Sequence, residues 1–398
     1  MAEVTTRKRG DKWEYRFESA KVNGMRRHIT KSGFKTKSEA IKSGTKALAE
    51  YNTAGLHFIP SEISFNDYLD YWLKEYCEIN LKRTTVDGYI KKINLHIRPE
   101  LGKYHLKSIT PAILNSFLNT KFNEGFSRNS LVVFKGILSR AFNYAVEPLK
   151  FISDTPMIYV KLPLARAEAK VPTRKKERTV ISKDSMKLIF ERFPERHPAH
   201  LPLLMAYSCG LRLGEAFAID LENDIDFENS YLIVNHQVQF LNGCWTLVKP
   251  KYDSIRKVKL DNMTLEKLKR AKELHFDSIN FYKEYYSQIK LNSKNQLNYI
   301  DGTPVHLLCS RDDGTYIQPR IMCHTGRVIH YDLNIMDYDY HSLRHTHATM
   351  LLEAGINPKV VQERLGHKNI ETTLQVYTHV TEQMTDTAIK QIENVLVF

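Results

Sequence analysis

The heptapeptide His341-Ser342-Leu343-Arg344-His345-Thr346-His347 crowds imidazoles around a guanidinium, a further histidine ends Leu365-Gly366-His367, and Tyr377 follows ten residues later. His341 and His345, four apart, share one face of a helix and could ligate a metal from it. The run lacks the glutamate of a His-Glu-x-x-His zinc helix, however, and it sets Arg344 beside the would-be ligands, where a cation opposes a second cation. An anion site is the more coherent chemistry, because an arginine fork and imidazoles hold a phosphate and the charge that develops on it. A second arginine stands in Ser208-Cys209-Gly210-Leu211-Arg212-Leu213-Gly214-Glu215. Gly210 suits a helix C-terminal turn, and Arg212 would then open the next one, near an N-terminus that favours anions.

These residues need a large chain to position them. The 398 residues suggest several domains, and 42% hydrophobic with 26% charged residues describes a chain able to bury substantial cores. No run approaches the roughly 18 uncharged apolar residues of a membrane span. The start, Met1 through Arg9, runs into charge rather than into an apolar leader, which points to a cytoplasmic address. Cys77, Cys209, Cys244, Cys309 and Cys323 are odd in number and never spaced as Cys-x-x-Cys, so they signal neither a disulfide framework nor a thiolate metal site. Lys and Arg outnumber Asp and Glu by 58 to 45, for a net charge of +13, which calls for a polyanionic partner. Residues 1–46 alone carry +8, a local patch rather than a general bias.

Within that patch, Trp13 to Glu18 alternates aromatic with charged residues, as a strand with one buried face does, and Arg26 to Lys31 follows across Asn23-Gly24 as the second arm of a hairpin. Thr36-Lys37-Ser38-Glu39 has capping-box spacing and opens a helix expected to reach about Tyr51. From Ser64, apolar residues recur at helical spacing (Phe65, Tyr68, Leu69, Trp72). Thr110-Pro111 then caps a stretch with Ile113, Leu114, Phe117 and Leu118, and a third stretch holds Leu131, Phe134, Leu138 and Phe142. Residues 164–180 carry six basic residues, a proline and almost nothing able to form a core, as a basic linker would. The remainder reads as mostly helical, with a three-strand patch at Tyr231–Val234, Trp245–Val248 and Lys257–Leu260 and a long polar and aromatic helix from Leu265 to about Ile289.

Taken together the chemical motifs resemble the tyrosine recombinase family, specifically the integrases of bacteriophages and integrative mobile elements. The matching runs are Gly-Leu-Arg-Leu-Gly-Glu around Arg212, His-Ser-Leu-Arg-His-Thr-His-Ala-Thr from His341, Leu-Gly-His ending at His367, and Tyr377-Thr378-His379. The four occur in the family's order. The resemblance implies a multidomain, mainly α chain with small β elements. It would comprise a small basic sheet-plus-helix arm-binding domain (1–58), a helical, SAM-like core-binding domain (64–163), a basic linker (164–178) and a mixed α/β catalytic domain (179–398).

It implies roles as well. Tyr377 would be the nucleophile, leaving a 3′-phosphotyrosine and a free 5′-hydroxyl. Arg212 and Arg344 would grip the nonbridging oxygens, His341 and His367 would hydrogen-bond the same phosphate, and Glu215 would orient the basic side chains. The general acid would be a lysine in Val248-Lys249-Pro250-Lys251-Tyr252-Asp253-Ser254-Ile255-Arg256. Lys251 occupies the family's place, but Tyr252 stands where threonine is usual and the turn is shorter, which leaves Lys249 as the alternative. No metal or nucleotide cofactor is implied, since cationic side chains supply the electrostatic stabilisation. The implied partners are double-stranded DNA at core and arm attachment sites, other copies in a homotetramer that passes through a Holliday junction, and accessory DNA-bending host factors and an excisionase, in the nucleoid of a bacterial cytoplasm. In the amino-terminal module the candidate DNA-binding cations are Arg16, Arg26, Arg27, Lys31 and Lys35. A type IB topoisomerase shares the nucleophile chemistry but has no such basic arm, and a non-cutting repressor of this fold has no need of an intact set of catalytic residues.

On this reading, deletion of residues 1–58 weakens binding to arm-containing DNA and makes the plot of log affinity against log salt shallower, because fewer counterions are released. A salt slope equal to that of the full chain, measured by fluorescence anisotropy, excludes a DNA clamp in this segment.

Overall fold

The computed structural model describes residues 4–22, 25–54, 63–163 and 180–374. The chain separates into two compact units, Met1–Thr173 and Arg174–Phe398. In the first, β1 (Thr5–Arg9), β2 (Lys12–Val22) and β3 (Met25–Phe34) form an antiparallel sheet in that order, followed by α1 (Lys37–Ala54). The alternation expected of Trp13–Glu18 appears as buried Tyr15 and Phe17, which share a small core with Ala47 of α1, while Arg16 is exposed on the opposite face, beside Thr5 and Thr30. Thr36 caps α1 by accepting from the Glu39 amide at 3.2 Å, and the Glu39 carboxylate reaches back to the Lys35 amide. The Asn23-Gly24 turn lies outside the described residues, and β1 had no expectation attached to it because its polar Thr-Thr-Arg-Lys-Arg run buries almost nothing.

The helical part of this unit has its own core. Its elements are α2 (Phe65–Trp72), which runs through a π-type stretch into α3 (Glu78–Asn80); α4 (Arg83–Lys92), likewise continued into α5 (Arg98–Leu101); α6 (Pro111–Asn123); and α7 (Arg128–Val146). Ser64, Thr110 and Ser127 each accept an amide of the first turn, as short hydroxyl caps do. Phe65, Tyr68, Trp72, Phe117, Phe134 and Phe142 are all buried. The pair α4–α5 is absent from the periodic stretches because only Val86, Ile93, Ile97 and Leu101 are buried in an otherwise polar segment.

The second unit opens with α8 (Lys183–Arg192), α9 (His200–Cys209) and α10 (Leu213–Ala216). The strands β4 (Ile225–Asp226), β5 (Tyr231–Val234) and β8 (Arg256–Lys259) form one sheet, and β6 (Gln237–Leu241) pairs only with β7 (Cys244–Val248). This corrects the expected three-strand patch. The two-residue turn Asn242-Gly243, both at positive φ, folds β7 back onto β6, so Trp245–Val248 pairs with Gln237–Phe240 and β4 takes the free edge of β5. Next come α11 (Asn262–Tyr282), which stops short of the expected Ile289, and the small sheet β9 (Lys290–Leu291), β10 (Leu297–Asn298) and β11 (Thr303–Pro304). The unit closes with α12 (Ile321–Tyr331), α13 (Tyr340–Glu353), α14 (Pro358–Leu365) and α15 (Ile370–Leu374). Leu343, Ala348 and Leu352 bury one side of α13, and Thr346 accepts the Ile181 amide at 2.9 Å, tying α13 to the start of the unit. Among the described residues no helix is long and apolar enough to cross a membrane.

Phe142 stacks on Phe65 with ring centroids 5.2 Å apart, and neither ring is exposed. Phe142→Ala is expected to cost about 3–5 kcal/mol by opening a cavity. The check is a lower urea midpoint at unchanged slope; a midpoint within error of wild type places Phe142 outside the cooperative core.

Candidate functional site

The site forms where two helices end. Gly366, at φ 67°, terminates α14: its amide bonds the Glu363 carbonyl and the His367 amide bonds the Gln362 carbonyl, the paired bonds of a left-handed helix stop. That pairing uses the carbonyls of Gln362 and Glu363 and leaves the next three without backbone partners. Each accepts from a different arginine: Arg364 O from Nε of Arg256 at 2.8 Å, Leu365 O from Nη2 of Arg344 at 2.6 Å, and Gly366 O from Nη2 of Arg212 at 2.8 Å. The end of α9 is used in the same way. Gly210, at φ 65°, stops it, and Gly210 O accepts from Nη1 of Arg344 at 2.6 Å while Tyr207 O accepts from Nδ1 of His347 at 2.8 Å. Arg344 is thus stretched between two helix C-termini, where the backbone dipoles favour cations.

Gly210 has no room for a side chain. A Cβ there would lie 2.5 Å from Leu365 and 2.9 Å from His347.

One carboxylate serves two of these arginines. Glu215, buried in the first turn after Arg212, accepts from the Arg212 amide at 2.9 Å and from Nη1 of Arg212 at 2.7 Å, and Nη2 of Arg256 reaches its second oxygen at 2.8 Å. Burial alone would raise its pKa, but the Arg256 hydrogen bond and charge, followed by those of Arg212, bring it down to about 2. Among the described residues no carboxylate pairs with Arg344. Burial and then the neighbouring Arg212 push the pKa of that guanidinium down, so the arriving charge that best relieves it is negative.

The histidines divide by environment. Nδ1 of His367 is 2.9 Å from Oγ1 of the buried Thr373, and its backbone is held at both ends by Gln362, whose Nε2 donates to His367 O at 2.9 Å. Burial, then Arg344 and Arg212, and then His345 and His341, push its pKa down to about 3, so the free protein holds it neutral. His341 is exposed on α13, its ring edge-on to His345 with centroids 4.7 Å apart. His347, by contrast, is buried, a bracing residue between α9 and α14.

Lys251 opens the turn Lys251–Asp253, in which Tyr252 and Asp253 both have positive φ, a strained backbone for side chains of this size. Oγ of Ser254, at the end of that turn, accepts from Nη1 of Arg212 at 3.2 Å, so the turn is tied to the arginine cluster. The Lys251 ammonium is exposed, 5.0 Å from the Tyr252 ring centroid. Lys249 follows β7, with its carbonyl bonded to Gln237 on β6. Tyr377 lies outside the described residues.

The structure therefore brings together Arg212, Glu215, Arg344 and His367, sets His341 beside them, and attaches the Lys251 turn through Ser254. Sequence reasoning missed Arg256, Arg364, Gln362 and Thr373. Only Arg256 carried a visible signal, as the arginine that closes the Lys249–Arg256 run. In the amino-terminal sheet Arg16 lies on the open face, but Lys31 pairs with Tyr15 and so belongs to the opposite face, and Lys35 lies beyond β3. Arg26 and Arg27 fall on β3.

Residues 180–384 match the phage integrase family, residues 64–122 the SAM-like N-terminal domain of phage integrases, and residues 3–50 an arm DNA-binding domain. Among curated proteins the chain is 25% identical over 366 residues to a tyrosine recombinase XerC-like protein of Caldanaerobacter subterraneus subsp. tengcongensis, covering 91% of each chain. It is 27% identical over 353 residues to the ICEBs1 integrase of Bacillus subtilis, covering 87% of this chain and 86% of that one. Among solved structures, the Tn1549 transposon integrase in complex with transposon right end DNA is similar at a TM-score of 0.63 and 18% identity, over 82% of this chain and 98% of that one. A lambda integrase tetramer bound to a Holliday junction is similar at 0.55 and 18%, over 92% and 94%.

Because the folded pKa of Glu215 lies below its usual 4.5, its contribution to stability is fully present above that value and is lost as pH falls towards 2. Wild type should lose about 3 kcal/mol more than Glu215→Gln over that acid interval. Urea midpoints measured at several pH values check this, and parallel losses in the two proteins rule out an ionised Glu215 as the clamp.

Proposed function

The chain belongs to the phage integrase family and is a tyrosine-type site-specific DNA recombinase, and we propose that it integrates a mobile element by cutting and rejoining DNA through Tyr377. The observation that carries this reading is the cluster of arginines on two helix ends with a single shared carboxylate, a site short of negative charge that suits a phosphodiester. Arg212 and Arg344 donate to the nonbridging oxygens with the guanidinium protons that the backbone carbonyls leave over. His367, neutral in the free protein, gains a reason to bind a proton once a phosphate lies against it, and with His341 it assists proton transfer.

In the first step the Tyr377 hydroxyl passes its proton to the neutral imidazole of His367 as its oxygen forms a bond to phosphorus, and the bond from phosphorus to the 5′-oxygen breaks. Lys251 delivers a proton to that oxygen, which leaves as a 5′-hydroxyl. The phosphotyrosine retains the bond energy, so the reverse step with a new 5′-hydroxyl rejoins the strand. The cationic side chains supply the transition-state stabilisation that a metal ion provides in other phosphoryl transfers.

The same reading assigns 1–58, 64–163 and 179–398 to arm-binding, core-binding and catalytic domains joined by the basic segment 164–178, with two DNA contacts per chain raising the effective concentration of the second. The likeness to a lambda integrase tetramer supports a four-copy assembly on DNA that passes through a Holliday junction. A host DNA-bending protein and an excisionase complete the proposed partners, in a bacterial cytoplasm.

A nicked suicide duplex of the attachment site, incubated with the protein in chelator, should trap a covalent adduct on a denaturing gel. Tyr377→Phe should abolish the adduct and leave binding near wild type; retained cleavage removes Tyr377 as nucleophile. A 5′-bridging sulfur, a better leaving group, should restore cleavage by Lys251→Ala and not by Arg344→Ala. Rescue of Lys249→Ala instead would reassign the general acid.

A further inference from the structure

Arg364 supplies the first of the three carbonyls that hold the other arginines, yet its own side chain has different partners. Nε donates to Nε2 of His347 at 3.0 Å, Nη1 to Lys259 O at 2.7 Å and Nη2 to Ser208 O at 3.2 Å. An arginine can only donate, so the His347 nitrogen facing it carries a lone pair. The other nitrogen, Nδ1, faces Tyr207 O at 2.8 Å and must carry the proton. Both partners thereby fix His347 as neutral, in one tautomer. Burial and the Arg364 charge act in the same direction, pushing its pKa down to about 4.

Through these bonds the end of α14 is tied to the end of α9 at Tyr207 and Ser208 and to β8 at Lys259. Arg344 spans the same two helices slightly further along, from Leu365 O to Gly210 O. The Arg344 fork can meet both carbonyls only at one separation of the helix ends.

We propose that Arg364, acting through His347, is a positioning residue that sets this separation and so aims Arg344 and Arg212 at the scissile phosphate. The inference rests on the reading that those two arginines grip the phosphate. A lysine at 364 keeps the charge but offers no planar fork, and cannot meet an imidazole and two carbonyls together.

The test uses the full chain, with single-turnover cleavage of the suicide duplex at saturating DNA, well below the unfolding transition. Arg364→Lys and His347→Phe should each slow cleavage about 10- to 100-fold, the cost of a misplacement on the order of an ångström, with DNA affinity near wild type. His347→Gln, whose amide oxygen can still accept from Arg364, should recover much of the rate. If Arg364→Lys and His347→Phe unfold more easily but cleave at the wild-type rate, the pair is merely structural and the proposal fails.

A second readout needs no cleavage. Nitrogen-15 spectra at neutral pH should show His347 neutral with the proton on Nδ1, and the Arg344 guanidinium resonances should move in Arg364→Lys. A protonated or Nε2–H His347, or unmoved Arg344 resonances, overturns the proposal. Wild type and Arg344→Ala run alongside: absence of an adduct from wild type counts against the reading of the phosphate site, while the spectra still decide for or against the tie.

Discussion

Three consecutive carbonyls at the end of α14, each accepting from a different arginine, are the interaction on which the site depends. A helix always leaves its last carbonyls without partners inside the helix. The left-handed stop at Gly366 satisfies those of Gln362 and Glu363 with backbone amides and turns the next three towards side chains from β8, α13 and the start of α10. A longer α14 would use these acceptors internally, and without them the arginines would face one another with one carboxylate among them.

Under the proposed function, that imbalance of charge is what the site uses. Glu215 neutralises part of the charge of Arg212 and Arg256, and the carbonyl dipoles hold Arg344 without neutralising it. The cluster is stable enough to fold and still short of negative charge, the condition under which a phosphodiester binds and its transition state binds more tightly. The histidines follow the same field. His367 and His347 are both neutral beside arginines, but His347 has both ring nitrogens committed to protein partners, whereas His367 commits one to Thr373, and the proposed function gives the other to the phosphate.

Local features of the fold were legible from the chain alone. The caps at Thr36 and Thr110, the buried face of Trp13–Phe17, the helix end at Gly210 and the start at Arg212 all rest on short-range rules of backbone sterics and hydrogen bonding. The pair α4–α5 escaped because four buried apolar residues in a polar run look like a solvated face. The β6–β7 pairing was misassigned because β-strand propensity says nothing about which strand is the neighbour, and the Asn242-Gly243 turn that decides it was overlooked.

For the site, the residue types and their order carried the chemistry. Arg212, Arg344, His341, His367 and Tyr377 could be selected because phosphate chemistry requires donors and a nucleophile, and these motifs place them in the order of a known family. What holds those groups in place was not readable. Arg212 meets a carbonyl 154 positions away and Arg344 one 134 positions away, and Arg256 and Arg364 matter only through contacts of that kind. Such contacts leave no periodicity or spacing in the chain. They come into being when α9 and α14 end side by side, because an unpaired carbonyl is the same group in every residue, and only the packing of the helices selects which arginine it meets.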